Sequence, residues 1–506
     1  MGTWLGWATS SPGLPRRAKS SGSAEYFASH FVSTADPVLA VDPAAAPCRS
    51  AVRRLPRVAR WAFTVGLSLS AGCSASVGNV THSTLQDPYD RAQAPEVASK
   101  EASHVLDGTV LQQTAFVAAV LQRNPTIEAA WHGWRAALAK QHQAGALEDP
   151  MIDLGVAPLS IGSSAAPFGY EASLSQKLPW FGKRALDRAA SGADAEAVKN
   201  DYESTKRELA LAAVTLYQQY FIAARSLEIN AAHIELMGAM RDAAAAQFSS
   251  GRGSAQEILQ AEAELAHMEH DAAILEAERR VIQAQMNELL HRAPELPLPP
   301  PPTELAPPPE PAAAAARLKQ GAERRRPDIM ALEQRAKAEQ VRAERAEREA
   351  YPDLTLGTSY SSMWGMPAHR WMIGLGFNLP LQTAPRQGAV DEARALRAQW
   401  EQHAARLRDA ARTQVFVALE QLEESKHVLQ VFETRLLPLA RARIEAARAG
   451  FTVSQNPFMA VIDAERSLRG LELEYQKARA EQAQRRAELD RALGRIPGLD
   501  WKEGNQ

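Results

Sequence analysis

Four side chains between positions 363 and 372 form a cluster of soft donors: Met363, Met366, His369 and Met372. Thioether sulfur with one imidazole suits Cu(I) or Ag(I). Methionine also fills gaps in packed structure with no ligand at all, so residue type alone leaves both readings open. The histidines His132, His142, His233, His267, His270 and His291 are scattered over helical stretches and read as surface side chains. His267 and His270 share a helix face but have no third donor close in sequence. There is no phosphate loop, no H-E-x-x-H and no nucleophile elbow. Acidic residues are interleaved with Arg and Lys on what read as solvated helix faces. The chain is expected to be no enzyme, with no catalytic residue and no cofactor.

Cys48 and Cys73 are the only cysteines, too few for a disulfide framework or a Cys-based zinc site. Cys73 follows a basic segment (Arg53, Arg54, Arg57, Arg60) and an apolar run from Trp61 to Leu69. That run is too short to span a bilayer and fits a signal-peptide core. Leu69-Ser-Ala-Gly-Cys73 resembles a bacterial lipobox, which implies lipid attachment at Cys73, and Ser74 after it implies sorting to the outer membrane. Residues 52–72 then read as a lipoprotein signal peptide and 73–105 as lipid anchor and tether. Residues 1–51, rich in Ser, Pro and Ala, do not fit ahead of a signal peptide. They are expected to be a mis-called or non-native extension, with translation starting near Val52.

The elements that must position these residues are written twice. Arg123-Asn-Pro125 answers Arg325-Arg-Pro327 at an offset of 202, and Pro150 answers Pro352 at the same offset. Leu178-Pro179 answers Leu379-Pro380 at 201, and Phe248 to Leu265 aligns without gaps on Phe451 to Leu468 at 203. Such near-constant offsets mark an internal duplication. Repeat 1 covers 106–293, a Pro-rich linker 294–311, repeat 2 covers 312–494, and a tail 495–506. A net charge of −2 gives no basic field for nucleic acid. Abundant Ala, Leu, Glu, Arg and Gln favour long helices.

Repeat 1 opens with a helical pattern from Leu106 to Leu147, broken at Asn124-Pro125, and each repeat carries two alternating stretches. Ile152, Leu154 and Val156 oppose Asp153, Gly155 and Ala157; Tyr170, Ala172, Leu174 and Leu178 oppose Glu171, Ser173, Ser175 and Lys177. In repeat 2, Leu354, Leu356, Thr358 and Tyr360 oppose Thr355, Gly357 and Ser359; Trp371, Ile373, Leu375, Phe377 and Leu379 oppose Met372, Gly374 and Gly376. A period of two over about ten residues suits transmembrane barrel strands, although half-buried strands of a soluble sheet alternate in the same way. Tyr170, Trp180, Tyr360, Trp364 and Trp371 fit an interfacial aromatic girdle. Four strands cannot close a barrel and lipid tolerates no open edge, so membrane insertion requires an oligomer. Behind each hairpin runs a helical stretch, from Arg184 to Phe248 and from Gln387 to Phe451, the second interrupted at Pro438. At 1.5 Å per residue, such a length reaches roughly 100 Å. Leu209, Ala213, Leu216, Tyr220, Ala223 and Leu227, and Val415, Leu422, Leu429 and Leu436, mark coiled-coil seams. The proline tract is expected either to strap the outside of the helices or to serve as a flexible linker.

These parts resemble the TolC-type outer-membrane efflux family from about Leu106 to Gly494. The resemblance rests on the two hairpins, Leu178-Pro-Trp-Phe-Gly-Lys183, Arg326-Pro-Asp-Ile329 and the paired helix turns, and within the family on a likeness to the heavy-metal branch. It implies a mainly α fold with a small β part: an α-helical coiled-coil barrel on a transmembrane β-barrel, four strands per protomer and twelve in a homotrimer. It also implies an outer-membrane exit duct with a periplasmic helical tunnel, docking a periplasmic membrane-fusion adaptor and an inner-membrane pump of the resistance-nodulation-division (RND) type or an ABC exporter. The working end would be the two turns, Gly251, Arg252, Gly253 and Ser254 in one and Gln455, Asn456 and Pro457 in the other. Arg252, with Glu257 or Asp463 as ion-pair partner, would be the gate candidates. Other readings are the exit duct of type I protein secretion and a lipoprotein coiled-coil scaffold without a channel.

Overall fold

The computed structural model describes residues 108–499, apart from 163, 165, 181, 307–320 and 454. Cys73 and its flanking segments lie outside the described residues.

The alternating stretches form one antiparallel sheet: β1 Met151–Val156, β2 Tyr170–Leu178, β3 Leu354–Ser361 and β4 Trp371–Phe377, in the order β1-β2-β3-β4. The strands are 6, 9, 8 and 7 residues long, shorter than the alternation suggested. The two hairpins join through β2 and β3, whose register runs from Glu171 opposite Ser361 to Leu178 opposite Leu354. The duplication is therefore consummated inside a single sheet.

Helices α1 (Gln113–Arg123) and α2 (Pro125–Gln143) are separated where proline cannot continue a helix interior. Asn124 caps α2 by accepting from the Thr126 amide at 2.9 Å, and its own amide donates to the Leu289 carbonyl at 3.0 Å. Helix α3 runs unbroken over Lys183–Ser249, 67 residues, or roughly 100 Å. Returning helix α4, Ala255–Leu289, has 35 residues. In repeat 2, α5 (Pro327–Glu347) leads to the sheet and α6 (Ala384–Val431) leaves it. After a π turn at Phe432–Leu436 come α7 (Leu437–Thr452) and α8 (Phe458–Ala492), the last again 35 residues long.

The π turn has a local cause. The Pro438 ring would collide with the carbonyl four residues back, that of Thr434, and Pro438 brings no amide to the ladder. Widening the turn by one residue relieves both faults without breaking the rod. The buried seam records the insertion. Val415, Ala418, Leu422, Ser425, Leu429 and Phe432 follow steps of three and four, then a step of five leads to Leu437, Ala440, Ile444, Ala447 and Phe451. Leu436, expected on the seam, is only half-buried; Leu437 replaces it.

Helices α3 and α5 pack antiparallel, with Arg335 on Asp201, Arg342 on Asp194 and Arg345 on Asp187. Half-exposed pairs of this kind add little stability each, but their sevenfold spacing on α3 fixes the register. Near mid-length, Leu111, Phe116, Tyr217, Tyr220, Met286 and Leu290 form the largest apolar cluster. The described part of the proline tract lies on it as a strap. The Leu111 amide donates to Pro300, the Tyr220 hydroxyl reaches the Pro299 carbonyl at 3.2 Å, and Arg479 donates to Leu305.

Candidate channel wall and tip

The ladder registers sort every strand residue onto a face. Ile152 stands opposite Leu174, Leu174 opposite Thr358, and Thr358 opposite Ile373. One face thus carries Ile152, Leu154, Val156, Tyr170, Ala172, Leu174, Leu178, Leu354, Leu356, Tyr360, Trp371, Ile373, Leu375 and Phe377, with Gln176 and Thr358 as its polar members. The other carries Asp153, Gly155, Glu171, Ser173, Ser175, Lys177, Thr355, Gly357, Ser359, Ser361, Gly374 and Gly376, with Met151 and Met372 as its large apolar members. Exposure of Leu154 at 78% and Ile373 at 91% leaves the apolar face uncovered by this chain. In water such a face would be costly; against lipid it is the expected surface. Tyr170, Tyr360 and Trp371 form one aromatic row across three strands, with centroids 5.7 and 5.3 Å apart. Trp180 lies beyond the opposite end of β2 and Trp364 in the β3–β4 hairpin, so the expected girdle is split between levels. Both outer strands, β1 and β4, have one edge unpaired within the protomer.

Where the sheet meets the helices, the Lys183 side chain is fully buried. Its ammonium donates to Asp353 Oδ1 at 2.8 Å and to the Tyr351 carbonyl at 2.9 Å, with Glu349 at 3.6 Å. The Trp180 amide reaches the same Asp353 oxygen at 3.3 Å. This lock ties the exit of β2 to the entry of β3. Sequence reading noted Lys183 only as part of a motif; the signal for its role was a lone lysine set between apolar strand and helix.

At the far end of the long helices the two turns are built alike. The Gln247 carbonyl accepts from the Arg252 and Gly253 amides at 2.9 and 3.1 Å; the Gly450 carbonyl accepts from Gln455 and Asn456 at 2.8 and 3.1 Å. The acceptor and donor positions differ by the repeat offset of 203. Gln247 also donates from its side chain to the Phe451 carbonyl at 3.2 Å, holding the turns together. Of the two glycines in the first turn, only Gly251 needs a positive φ, +72°. Gly253 serves close packing instead: a Cβ there would lie 3.0 Å from Gln247 Cβ. The second turn reverses the arrangement, since a Cβ on Gly450 would lie 2.2 Å from Asn456 Nδ2. Each turn thus places one glycine at the same close approach, on opposite sides of it. Gly450→Ala should disorder the second turn. Adding Asn456→Gly should restore it, as read by protease resistance of the tip; no rescue would mean the crowding is not the cause.

The gate candidates are not joined within the protomer. Arg252 donates to Ser250 Oγ at 3.1 Å. Glu257 accepts from the Ser254 amide at 3.2 Å, completing a capping box at the start of α4. Asp463 is exposed on α8. Pro457 is the N-cap of α8 rather than its first residue.

A family model described as outer membrane efflux protein matches residues 117–290 and 318–495. The chain belongs to this family. It is a TolC-type outer-membrane efflux channel, a pore rather than an enzyme. Solved outer-membrane efflux channels share its fold. The outer-membrane channel OprN is 22% identical with a TM-score of 0.61, over 76% of this chain and 89% of that one. CusC is 18% identical with a TM-score of 0.66, over 76% and 92%. The outer membrane protein VceC of Vibrio cholerae is 16% identical with a TM-score of 0.65, over 77% and 97%. No curated protein matches the sequence.

In this efflux channel Met363, Met366, His369 and Met372 sit in or beside the β3–β4 hairpin and are exposed. The His369 ring stands edge-on to Trp364 at 6.5 Å. Among the described residues, no group of three or more His, Cys, Asp or Glu side chains is placed to hold a metal ion.

One histidine departs from expectation. His233 is not a surface residue but 4% exposed, on the α3 seam formed by Ser226, Asn230, His233, Met237, Met240 and Ala244. The seam drifts by one residue from the spacing extrapolated upstream, and that drift brings His233 inside. Its Nδ1 lies 2.8 Å from Glu465 and its Nε2 3.1 Å from Glu472, both on α8. Burial works to lower its pKa, but the two carboxylates outweigh this and push it up to about 9. The legible signal was Glu465 and Glu472 spaced by seven, one heptad, on a helix facing that seam.

Proposed function

We propose that three copies of this efflux channel form the exit duct of a tripartite efflux pump. The observation that carries the reading is the four-stranded sheet with one mainly apolar face, one mainly polar face and two unpaired edges. A membrane barrel must close and needs at least eight strands; three copies supply twelve. The apolar face would meet outer-membrane lipid and the polar face would line the lumen. With long helices of roughly 100 Å, the turns at 251–254 and 455–457 would meet a periplasmic adaptor. An inner-membrane pump of the RND type would supply the energy. The soft donors at the β3–β4 hairpin favour Cu(I) or Ag(I) among the toxic compounds exported; the likeness to the heavy-metal branch adds Co, Zn or Cd as further candidate cargo. Cys73 would carry the lipid anchor, its acyl chain adding to the hold of the barrel.

The purified protein should run as a heat-modifiable trimer and conduct ions across planar bilayers; trimers that never conduct would sink the duct reading. A deletion strain should lose resistance to copper or silver more than to common antibiotics, and the reverse order would reassign the cargo. Cys73→Ser should lose metabolic labelling by palmitate while inserted trimers remain. Continued labelling would remove the anchor assignment.

A further inference from the structure

We propose that the cleft where α5 and α6 meet beneath the sheet seats the phosphate headgroup of an outer-membrane phospholipid, an inference that rests on the exit-duct reading above. The cleft holds about 340 Å³, and its lining includes Glu347 at the end of α5, Pro380 in the connection from β4, and Thr383, Arg386, Val390 and Arg394 at the start of α6. A space of that size is in the range of small-ligand sites.

Its charges do not balance. Arg394 donates to Glu347 at 2.7 Å, which closes that pair. Asp391, the next acid along α6, is engaged by Gln387 at 3.0 Å. Arg386 is half-buried, and its one hydrogen bond among the described residues goes to the Gln382 carbonyl, not to a carboxylate. A guanidinium offers five N–H donors in a planar fork that matches the oxygens of a phosphate. The cleft therefore carries one positive charge more than its own side chains answer.

Height puts this charge at the membrane surface. The apolar face of β4 runs from Trp371, in the aromatic row, through Ile373, Leu375 and Phe377. The same alternation continues to Leu379 and Leu381, both exposed. At about 3.3 Å per residue and a tilt of roughly 40°, this run covers roughly 20–25 Å of height, close to the apolar band of an outer-membrane barrel. Trp180, just past the end of β2, is exposed at the same lower border. Pro380 lines the cleft from between the two leucines, and Arg386 is the third residue of α6. A phospholipid packed on this border lays its acyl chains against Phe377 and Leu379 and brings its phosphate to Arg386. A free phosphate would gain no apolar contact there, and a lipid without phosphate would leave the arginine unanswered. The two halves of the site thus select a phospholipid over either part of one.

The test uses the full-length trimer, extracted in mild detergent and washed in lipid-free micelles, and counts retained phospholipid by native mass spectrometry. The unsubstituted trimer should keep one phospholipid per protomer. Arg386→Gln should keep several-fold less, and Arg386→Lys, which retains the charge without the fork, an intermediate amount. Arg397→Gln, one turn beyond Arg394 and paired with Glu401 at 2.8 Å, should keep as much as the parent. Phosphatidylglycerol added back should restore the count, whereas millimolar inorganic phosphate should not displace it. Unchanged retention in Arg386→Gln would overturn the site. Displacement by inorganic phosphate would make it a free-anion site, equal retention of diacylglycerol would make it an apolar contact alone, and a cross-link from position 386 to the next protomer would give the cleft to a second copy; each refutes the proposal. The two competition arms need no substitution, so they decide the matter even if Arg386→Gln does not assemble. All these outcomes leave the duct intact, since heat-modifiable trimers still form. Unsubstituted protein that forms no membrane trimer would instead remove the duct reading, and the lipid site with it.

Discussion

Leu375→Arg is expected to strip the outer membrane of assembled channel. Leu375 lies near the middle of β4, opposite Leu356, on the apolar face, and is 62% exposed in the protomer. A cation at the lipid midplane of a barrel costs about 2–4 kcal/mol, and a trimer would bear that cost three times. Leu174→Arg, on the same face of β2, should behave alike. Ser173→Arg and Thr355→Arg point to the polar face, where a guanidinium stays hydrated; these should assemble normally and change conductance. Heat-modifiable trimer in the membrane fraction measures assembly. If Leu375→Arg and Ser173→Arg assembled equally well, the assignment of faces would be wrong.

The second large effect is expected at the junction of sheet and helices. Lys183→Met keeps the apolar stem but removes the ammonium from Asp353, Tyr351 and Glu349. The Asp353 side chain is only 12% exposed and would keep a single weak donor, the Trp180 amide. Breaking a buried pair by removing one partner costs about 3–5 kcal/mol, and here the loss would loosen β3 from β2. Lys183→Met should therefore lower the dissociation temperature of the trimer sharply. A further Asp353→Leu change should recover part of it, because the orphaned carboxylate is then gone. A single variant as heat-stable as the parent would show that the lock is dispensable.

The duplication made most of the architecture legible. Period-two alternation assigned both hairpins and their faces before any register was known, because a strand's side-chain period is two and one face needs lipid. The helix breaks at Asn124-Pro125 and at the tips were equally open, since proline and glycine act locally. What stayed hidden depends on distances along the chain. Arg252 and Glu257 looked like a pair, yet Glu257 is three residues after Ser254 and is taken up by its own helix terminus. Gly251 and Gly253 share one turn, yet only Gly251 has a positive φ, and the constraint on Gly253 comes from Gln247, on the preceding helix. His233 was misplaced because a straight helix and a heptad repeat drift apart; a small phase error at Leu227 becomes a change of side by position 233. Pro438 was visible as an interruption, but not the way the helix absorbs it.

That absorption sets a condition on the whole lower part of the molecule. In a regular helix an inserted residue would turn everything beyond it by about 100° around the axis; the wide turn at Phe432–Leu436 takes that residue up. The stripe that reaches Phe432 therefore resumes at Leu437, and Ile444 and Phe451 point into the tip core with Phe458. The long strut of repeat 2 behaves as a shaft with a keyed offset, whereas α3, its counterpart in repeat 1, has no such joint. Two struts that began as copies thus reach turns of the same hydrogen-bond pattern, 203 residues apart. A single wide turn thereby lets a strut with an extra residue end in the same kind of turn as its copy.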